Sequence, residues 1–191
     1  VLLAAAQLFT AGGWRATTID QIAARAGVSR PTVFAVGSKA QLLKQARDVA
    51  MAGDDADAPV SQRESVQLVL AEQDPRRFLA AMAEHVTGVQ ERYGPLEVVL
   101  RHAAFADQEL AELWRASEQQ RRIAAAMFVD SLAGRASLAG PRDQMVDVAW
   151  LLMAVDTHAQ LVRDRGWSRR DYLSWLATTL EALLLAPRAS E

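Results

Sequence analysis

The chain has 191 residues, of which 51% are apolar, and a formal net charge of −2. This length and apolar content suffice for one or two small domains with a real core, so disorder is not the default. Cysteine is absent, which excludes disulfide frameworks and thiolate metal sites and suits a reducing cytoplasm. The longest apolar run, around Ala149–Val155, is far short of the roughly 20 residues a membrane helix requires.

The charge is unevenly placed. Residues 1–52 hold six basic residues (Arg15, Arg25, Arg30, Lys39, Lys44, Arg47) and two acidic ones (Asp20, Asp48), a balance of +4; residues 53–191 balance at −6. A basic head on an acidic body suits a protein of which only the head approaches phosphate. The opening run from Val1 to Ala6 has no basic region before it, and Gln7 interrupts it. It is expected to be an amphipathic helix that continues upstream, since no initiator Met precedes it, and not a signal peptide.

Almost every segment reads as helix, and sustained strand alternation is missing. About ten helices are predicted near 1–11, 18–25, 29–36, 39–52, 62–72, 75–92, 95–106, 108–133, 142–165 and 169–186. Thr18 with Gln21, Ser38 with Gln41 and Ser61 with Glu64 each fit a capping box. Asp74-Pro75, Gly94-Pro95 and Gly140-Pro141 place proline where a first helical turn tolerates it. Ser168 is expected to cap the last helix. Gly53 to Pro59 is acidic and lacks large apolar residues, which makes it a linker between a domain at 1–52 and a second at 61–187. The tail from Pro187 is expected to fray.

The informative stretch is Thr17–Lys39. Thr18 caps a short helix, and small Ala23 lets a second helix cross closely. Gly27 takes the left-handed conformation of a tight turn, Ser29 caps the next helix, and Val33 returns to the core. The spacing fits two short helices crossing steeply around a glycine turn, a helix-turn-helix, with an ordinary helical corner as the alternative. The second helix then presents Arg30, Pro31, Thr32 and Phe34 outward, with its N-terminus toward a groove of duplex DNA.

Residues 1–52 resemble the DNA-binding domain of the TetR (tetracycline-repressor) family. The likeness rests on Ala5, Ala6, Leu8, Phe9, Gly13, Thr17-Thr18, Ile22-Ala23, Ala26-Gly27-Val28-Ser29, Thr32-Val33-Phe34, Ser38-Lys39 and Leu42-Leu43. It implies an all-α protein with a three-helix DNA-binding domain and a helical ligand-binding and dimerisation domain. Its function would be that of a regulator, as a repressor, binding a palindromic operator as a homodimer and answering a small-molecule effector. Carried over residue by residue, Thr18, Ser29, Thr32 and Lys39 would position phosphates, with Arg30 and Pro31 near bases. Two features depart from the family. Phe34 stands where a tyrosine hydroxyl usually meets phosphate, and the segment from Phe34 to Ser38 is one residue short.

In the body, Val148–Val155 is apolar all round, and Tyr172, Leu173, Trp175, Leu176, Leu180, Leu183 and Leu184 cover more than one stripe. Helices apolar on two faces must bury both, which a two-fold four-helix interface achieves. Ser117 and Arg121 interrupt an apolar stripe that includes Trp114 and Phe128, while His85 and Asp156 sit on other apolar faces. Such groups need partners. They are expected, with Trp114, Met127, Phe128 and Trp150, to line an effector pocket; pairing within the protein is the alternative for each. No phosphate loop, zinc-protease, nucleophile-elbow or dinucleotide motif is present, and His85, His102 and His158 are isolated in sequence. No enzyme activity, cofactor or metal is expected; the rival readings are a helical binding or architectural protein without effector and, behind it, a metal-free enzyme.

Overall fold

The structure, a computed structural model, describes residues 1–52 and 62–187. The expected linker Gly53–Pro59, the Ser61 cap and the tail after Pro187 lie outside the described residues. Among the described residues the chain is all-α. Its helices are α1 (Leu2–Ala16), α2 (Ile19–Ala26), α3 (Arg30–Val36), α4 (Lys39–Ala52), α5 (Glu64–Ala71), α6 (Pro75–Ala104), α7 (Gln108–Ala133), α8 (Arg142–Leu152), α9 (Val155–His158) and α10 (Arg169–Leu184). No strand forms among these residues; an isolated antiparallel bridge joins Leu138 to Leu185.

Contacts divide the chain into two units, Val1–Ala56 with Glu91–Ser117 and Asp57–Gln90 with Glu118–Glu191. In the first unit α1 packs on α2 and α4, and α2 packs on α3. Its core joins Ala5, Phe9, Ile22, Val33, Leu42 and Leu43 to Leu96, Leu100 and Leu110. Helix α1 runs past its expected end, but Gly13 within it is non-helical (φ 76°, ψ 177°). There Thr17 donates its hydroxyl to the Gly13 carbonyl at 2.9 Å.

The same unit buries an ion pair. Arg47 of α4 and Glu97 of α6 are each 2% exposed, and the Arg47 guanidinium donates to the Glu97 carboxylate. Ser117 of α7 closes the triangle, accepting from Arg47 at 2.9 Å and donating to Glu97. Arg47 also lies 5.8 Å from the Tyr93 ring. Arg47 therefore leaves the surface tally of the basic head, which falls to five basic and two acidic residues, +3.

The second unit packs Phe78, Leu79 and Met82 of α6 and Phe128 and Leu132 of α7 against Val146 and Ala149 of α8 and Tyr172, Leu176 and Leu180 of α10. Asp74 starts α6 by accepting from the amides of Arg76 and Arg77 at 3.0 and 2.9 Å. These bonds, Arg77's first, hold its carboxyl below the usual carboxylate range.

Two expected boundaries are corrected. Gly94-Pro95 does not start a helix, because α6 runs from Pro75 to Ala104 with Pro95 inside. Proline removes one helical hydrogen bond, but Gly94 offers no Cβ to the ring, and burial of Leu96, Val99 and Leu100 outweighs the loss. The single helix expected over 142–165 breaks after Leu152, and α9 leads into a π-helical segment, Ala159–Asp164. The bend between Arg142–Leu152 and Val155–Asp164 is 47°. A side chain reaching into the helical ladder is an established cause of such bends. Here the buried Gln90 amide donates to the Ala154 carbonyl at 3.0 Å and its oxygen accepts from the Tyr172 hydroxyl at 2.9 Å. Burial pushes that hydroxyl up to about 12. The break also removes Asp156 from the continuous line with Ala149 and Leu152 expected from the sequence.

Breaking one partner of a buried pair leaves an uncompensated charge. Glu97→Ala is expected to cost about 3–5 kcal/mol in chemical denaturation at neutral pH. Joint replacement by apolar residues of similar volume, Arg47→Met with Glu97→Leu, should restore most of that loss. A double variant no more stable than Glu97→Ala would refute this account of the pair.

Candidate nucleic-acid interface

The interface is built from α2, the Gly27 turn and α3. Thr18 and Gln21 form the expected capping box at the start of α2: the Thr18 side chain accepts from the Gln21 amide at 3.2 Å, and Gln21 accepts from the Thr18 amide at 2.9 Å. Gly27 ends α2 in the left-handed region (φ 66°, ψ 30°), where glycine alone avoids a Cβ penalty. Ser29 caps α3, accepting from the Thr32 amide at 3.3 Å, and shares a 2.8 Å hydrogen bond with the Thr32 hydroxyl. Val33 is the buried residue of α3. The turn into α4 depends on Gly37, since a Cβ there would stand 2.8 Å from the Gln41 side chain. Ser38 and Gln41 form the box that starts α4, with bonds of 2.8 and 3.2 Å.

Around this frame Ser29, Arg30, Pro31, Thr32 and Phe34 all reach solvent, Phe34 with 54% of its surface exposed. Arg30 is not idle: it lies 3.0 Å from Asp20 of α2, with both side chains well exposed. Such a pair is worth at most about 1 kcal/mol, so Arg30 exchanges it readily for another anion. Lys39 donates to the Trp14 carbonyl and stands 4.2 Å from the centre of the Trp14 ring. Partial burial lowers its pKa from the ordinary lysine value. Its ammonium can still make two further bonds. Arg15, Arg25 and Lys44 add exposed positive charge, with Lys44 paired to Asp48 at 2.7 Å.

The structure does not gather all the effector candidates. Trp114 packs against the core of the first unit and Ser117 belongs to its Arg47–Glu97 triangle. His85, Arg121, Met127, Phe128, Trp150 and Asp156 fall in the second unit. There the His85 and Phe128 rings are 6.1 Å apart, and the Arg121 guanidinium lies 4.7 Å over the Trp150 ring. Arg121, 11% exposed, reaches Glu118 at 2.6 Å. The Arg121 Nε and the Trp150 indole nitrogen are buried and have no hydrogen-bond partner among the described residues. Met127 packs against the core, and Asp156 is half-buried on α9. A separate groove of about 520 Å3 runs along α10, lined by Trp167, Asp171, Ser174, Trp175, Thr178 and Thr179.

Sequence reasoning missed Glu97, Asp20 and Trp14. Glu97 did carry a signal, as a carboxylate set between Leu96 and Val98. Asp20 and Trp14 carried none, since their partners come from other helices.

Comparison with known proteins follows the same division. Residues 1–46 match the family described as bacterial regulatory proteins, tetR family. Among proteins of curated function none matches the chain. A protein described as a transcriptional regulator from Saccharomonospora viridis, in complex with choline, is similar over 97% of this chain and 96% of its own, at 18% identity and a TM-score of 0.74. A TetR-like transcriptional regulator from Rhodococcus sp. RHA1 shares 19% identity over 94% of this chain and 90% of its own, with a TM-score of 0.62. A protein described as a transcriptional regulator from Pseudomonas aeruginosa PAO1 shares 16% identity over 95% and 86%, with a TM-score of 0.67. At these identities the likeness is one of fold. The N-terminal helix-turn-helix is thus similar in sequence to the tetR family of bacterial regulatory proteins over residues 1–46, and the chain as a whole shares the fold of the transcriptional regulators above.

Proposed function

We propose that the chain acts as a cytoplasmic homodimeric repressor that binds a near-palindromic operator and answers a small-molecule effector. The observation that carries the DNA-binding part is the doubly capped helix-turn-helix with the outer side of α3 open to solvent. In this reading 1–52 is the DNA-binding domain and 61–187 the ligand-binding and dimerisation domain. Thr18, Ser29, Thr32 and Lys39 hold phosphates, and Arg30 leaves Asp20 to meet a base edge, with Pro31 and Phe34 beside it.

Support for the dimer comes from α8 and α10, which pack on each other and leave Leu151 60% and Leu183 45% exposed. Two such faces meet economically across a two-fold axis. Support for the effector comes from the second unit. Each buried unpaired donor costs on the order of 1–3 kcal/mol, and Arg121 and Trp150 hold two side by side. An effector bearing a carboxylate or similar acceptor, placed among His85, Arg121, Phe128, Trp150 and Asp156, would recover that cost. The Saccharomonospora protein is in complex with choline; here a quaternary ammonium would find the Trp150 face already covered by Arg121.

Three outcomes are expected. Affinity for a duplex selected from a random pool should fall steeply between low and moderate salt. Lys39→Ala should weaken all sequences alike, and Arg30→Ala should also relax base preference by about 1–3 kcal/mol at one position; an affinity flat in salt would sink the DNA reading. Light scattering at micromolar concentration should give a dimer, and Leu151→Glu with Leu183→Glu a monomer; a monomeric parent chain would defeat this interface. Trp150→Phe without ligand should leave stability unchanged or raise it by up to about 1–3 kcal/mol, because an unpaired donor is removed. A loss of stability larger than the smaller ring's lost packing accounts for would mean that the indole N–H is already partnered inside the protein.

A further inference from the structure

The outward arc of α3 is apolar, and this says what it reads. With Val33 fixing the buried direction, a helical step of about 100° places Pro31 and Ala35 on the opposite side. Phe34 lies next to them. All three are exposed, and Arg30 and Thr32 flank the arc. From Arg30 to Val36 there is no Asn, Gln, Asp, Glu or Lys, so the side chains that bond adenine bidentately or accept from cytosine as carboxylates are missing, and Thr32 offers only a single hydroxyl. Arg30 is the one residue of this helix able to make a bidentate base contact.

An apolar surface in the major groove has one distinctive partner, the C5-methyl group of thymine, since the other groups that tell the base pairs apart there are hydrogen-bond donors and acceptors. We propose that Phe34, with Pro31 and Ala35, is a methyl-reading surface that selects thymine at the positions facing the middle of α3. This rests on the DNA-binding reading above and adds the chemistry it selects. The loss of a phosphate-bonding hydroxyl at Phe34 then has a counterpart: the ring gives up a backbone contact and gains a base contact.

The test starts from the best duplex selected by the full-length protein and replaces each thymine in turn by deoxyuridine, which removes the methyl and keeps the base pair. At one or two positions per half-site, affinity should drop about three- to fivefold, the equivalent of one buried methyl. Elsewhere the change should be negligible. In Phe34→Ala those positions should become insensitive to deoxyuridine, and Phe34→Leu should recover part of the effect. Phe34 is exposed, so these variants are expected to fold; the scan on the parent protein stands without them. A scan flat at every thymine overturns the proposal. So does a Phe34→Ala protein that binds all sequences more weakly yet keeps the parent's deoxyuridine profile, since that is the behaviour of a backbone contact. If no duplex is selected at all, the DNA-binding reading fails first, and the two failures are told apart.

Discussion

A guanidinium cannot be taken from water without a partner, and the first unit is organised around that rule. Arg47 enters the core from α4 between Leu43 and Ala50, where a carboxylate from α6 and a hydroxyl from α7 satisfy it. Removing either side exposes several kcal/mol of desolvation that the pair otherwise offsets. The apolar residues around it can slide by small amounts at low cost, whereas directional bonds to a buried charge cannot. The triangle therefore fixes where α4 lies against α6 and α7 within that unit, and through α1 and α2 it fixes the frame on which α3 is carried.

The second unit has a neutral counterpart in Gln90. One amide joins the break after α8 to the hydroxyl of Tyr172. An isolated carbonyl at a helix break is costly when buried, and Gln90 removes that cost while spending both ends of its own amide. The π-helical stretch that follows is of the kind that often marks functional positions. His158 sits edge-on to Tyr172 at 4.8 Å beside it. The second unit thus holds a bent segment pinned by the Gln90 amide between α8 and α10.

What the sequence disclosed and what it hid divide by range. The caps at Thr18, Ser29, Ser38 and Ser168 are local: a hydroxyl, an amide two or three residues on, and a side chain to return the bond. The left-handed Gly27 is local as well. These were legible, and with them the helix-turn-helix. Arg47 was counted as surface charge because its partners stand 50 and 70 residues away in the chain. Ser117 was recognised as a polar group on a buried face, but nothing near it in sequence names Arg47. Pro95 was read as a start signal because single-residue rules do not include the burial of Leu96, Val99 and Leu100. The break after Leu152 escaped for the same reason, since its partner Gln90 lies on another helix.

The crowded Gly37 turn has a consequence for how operator preference can be compared among related regulators. With no room for a Cβ and a φ of 154°, the α3–α4 junction takes glycine at position 37, and a residue gained or lost between Val36 and Ser38 shifts the numbering of α3 against that of α4. Positions counted backward from Ser38 and positions counted forward from Ser29 then disagree by one place. Only the count from Ser29 keeps Val33 inward. A recognition code transferred from a protein with a longer junction has to be anchored at the cap of α3, or it will assign the reading of a base to a residue that faces the core.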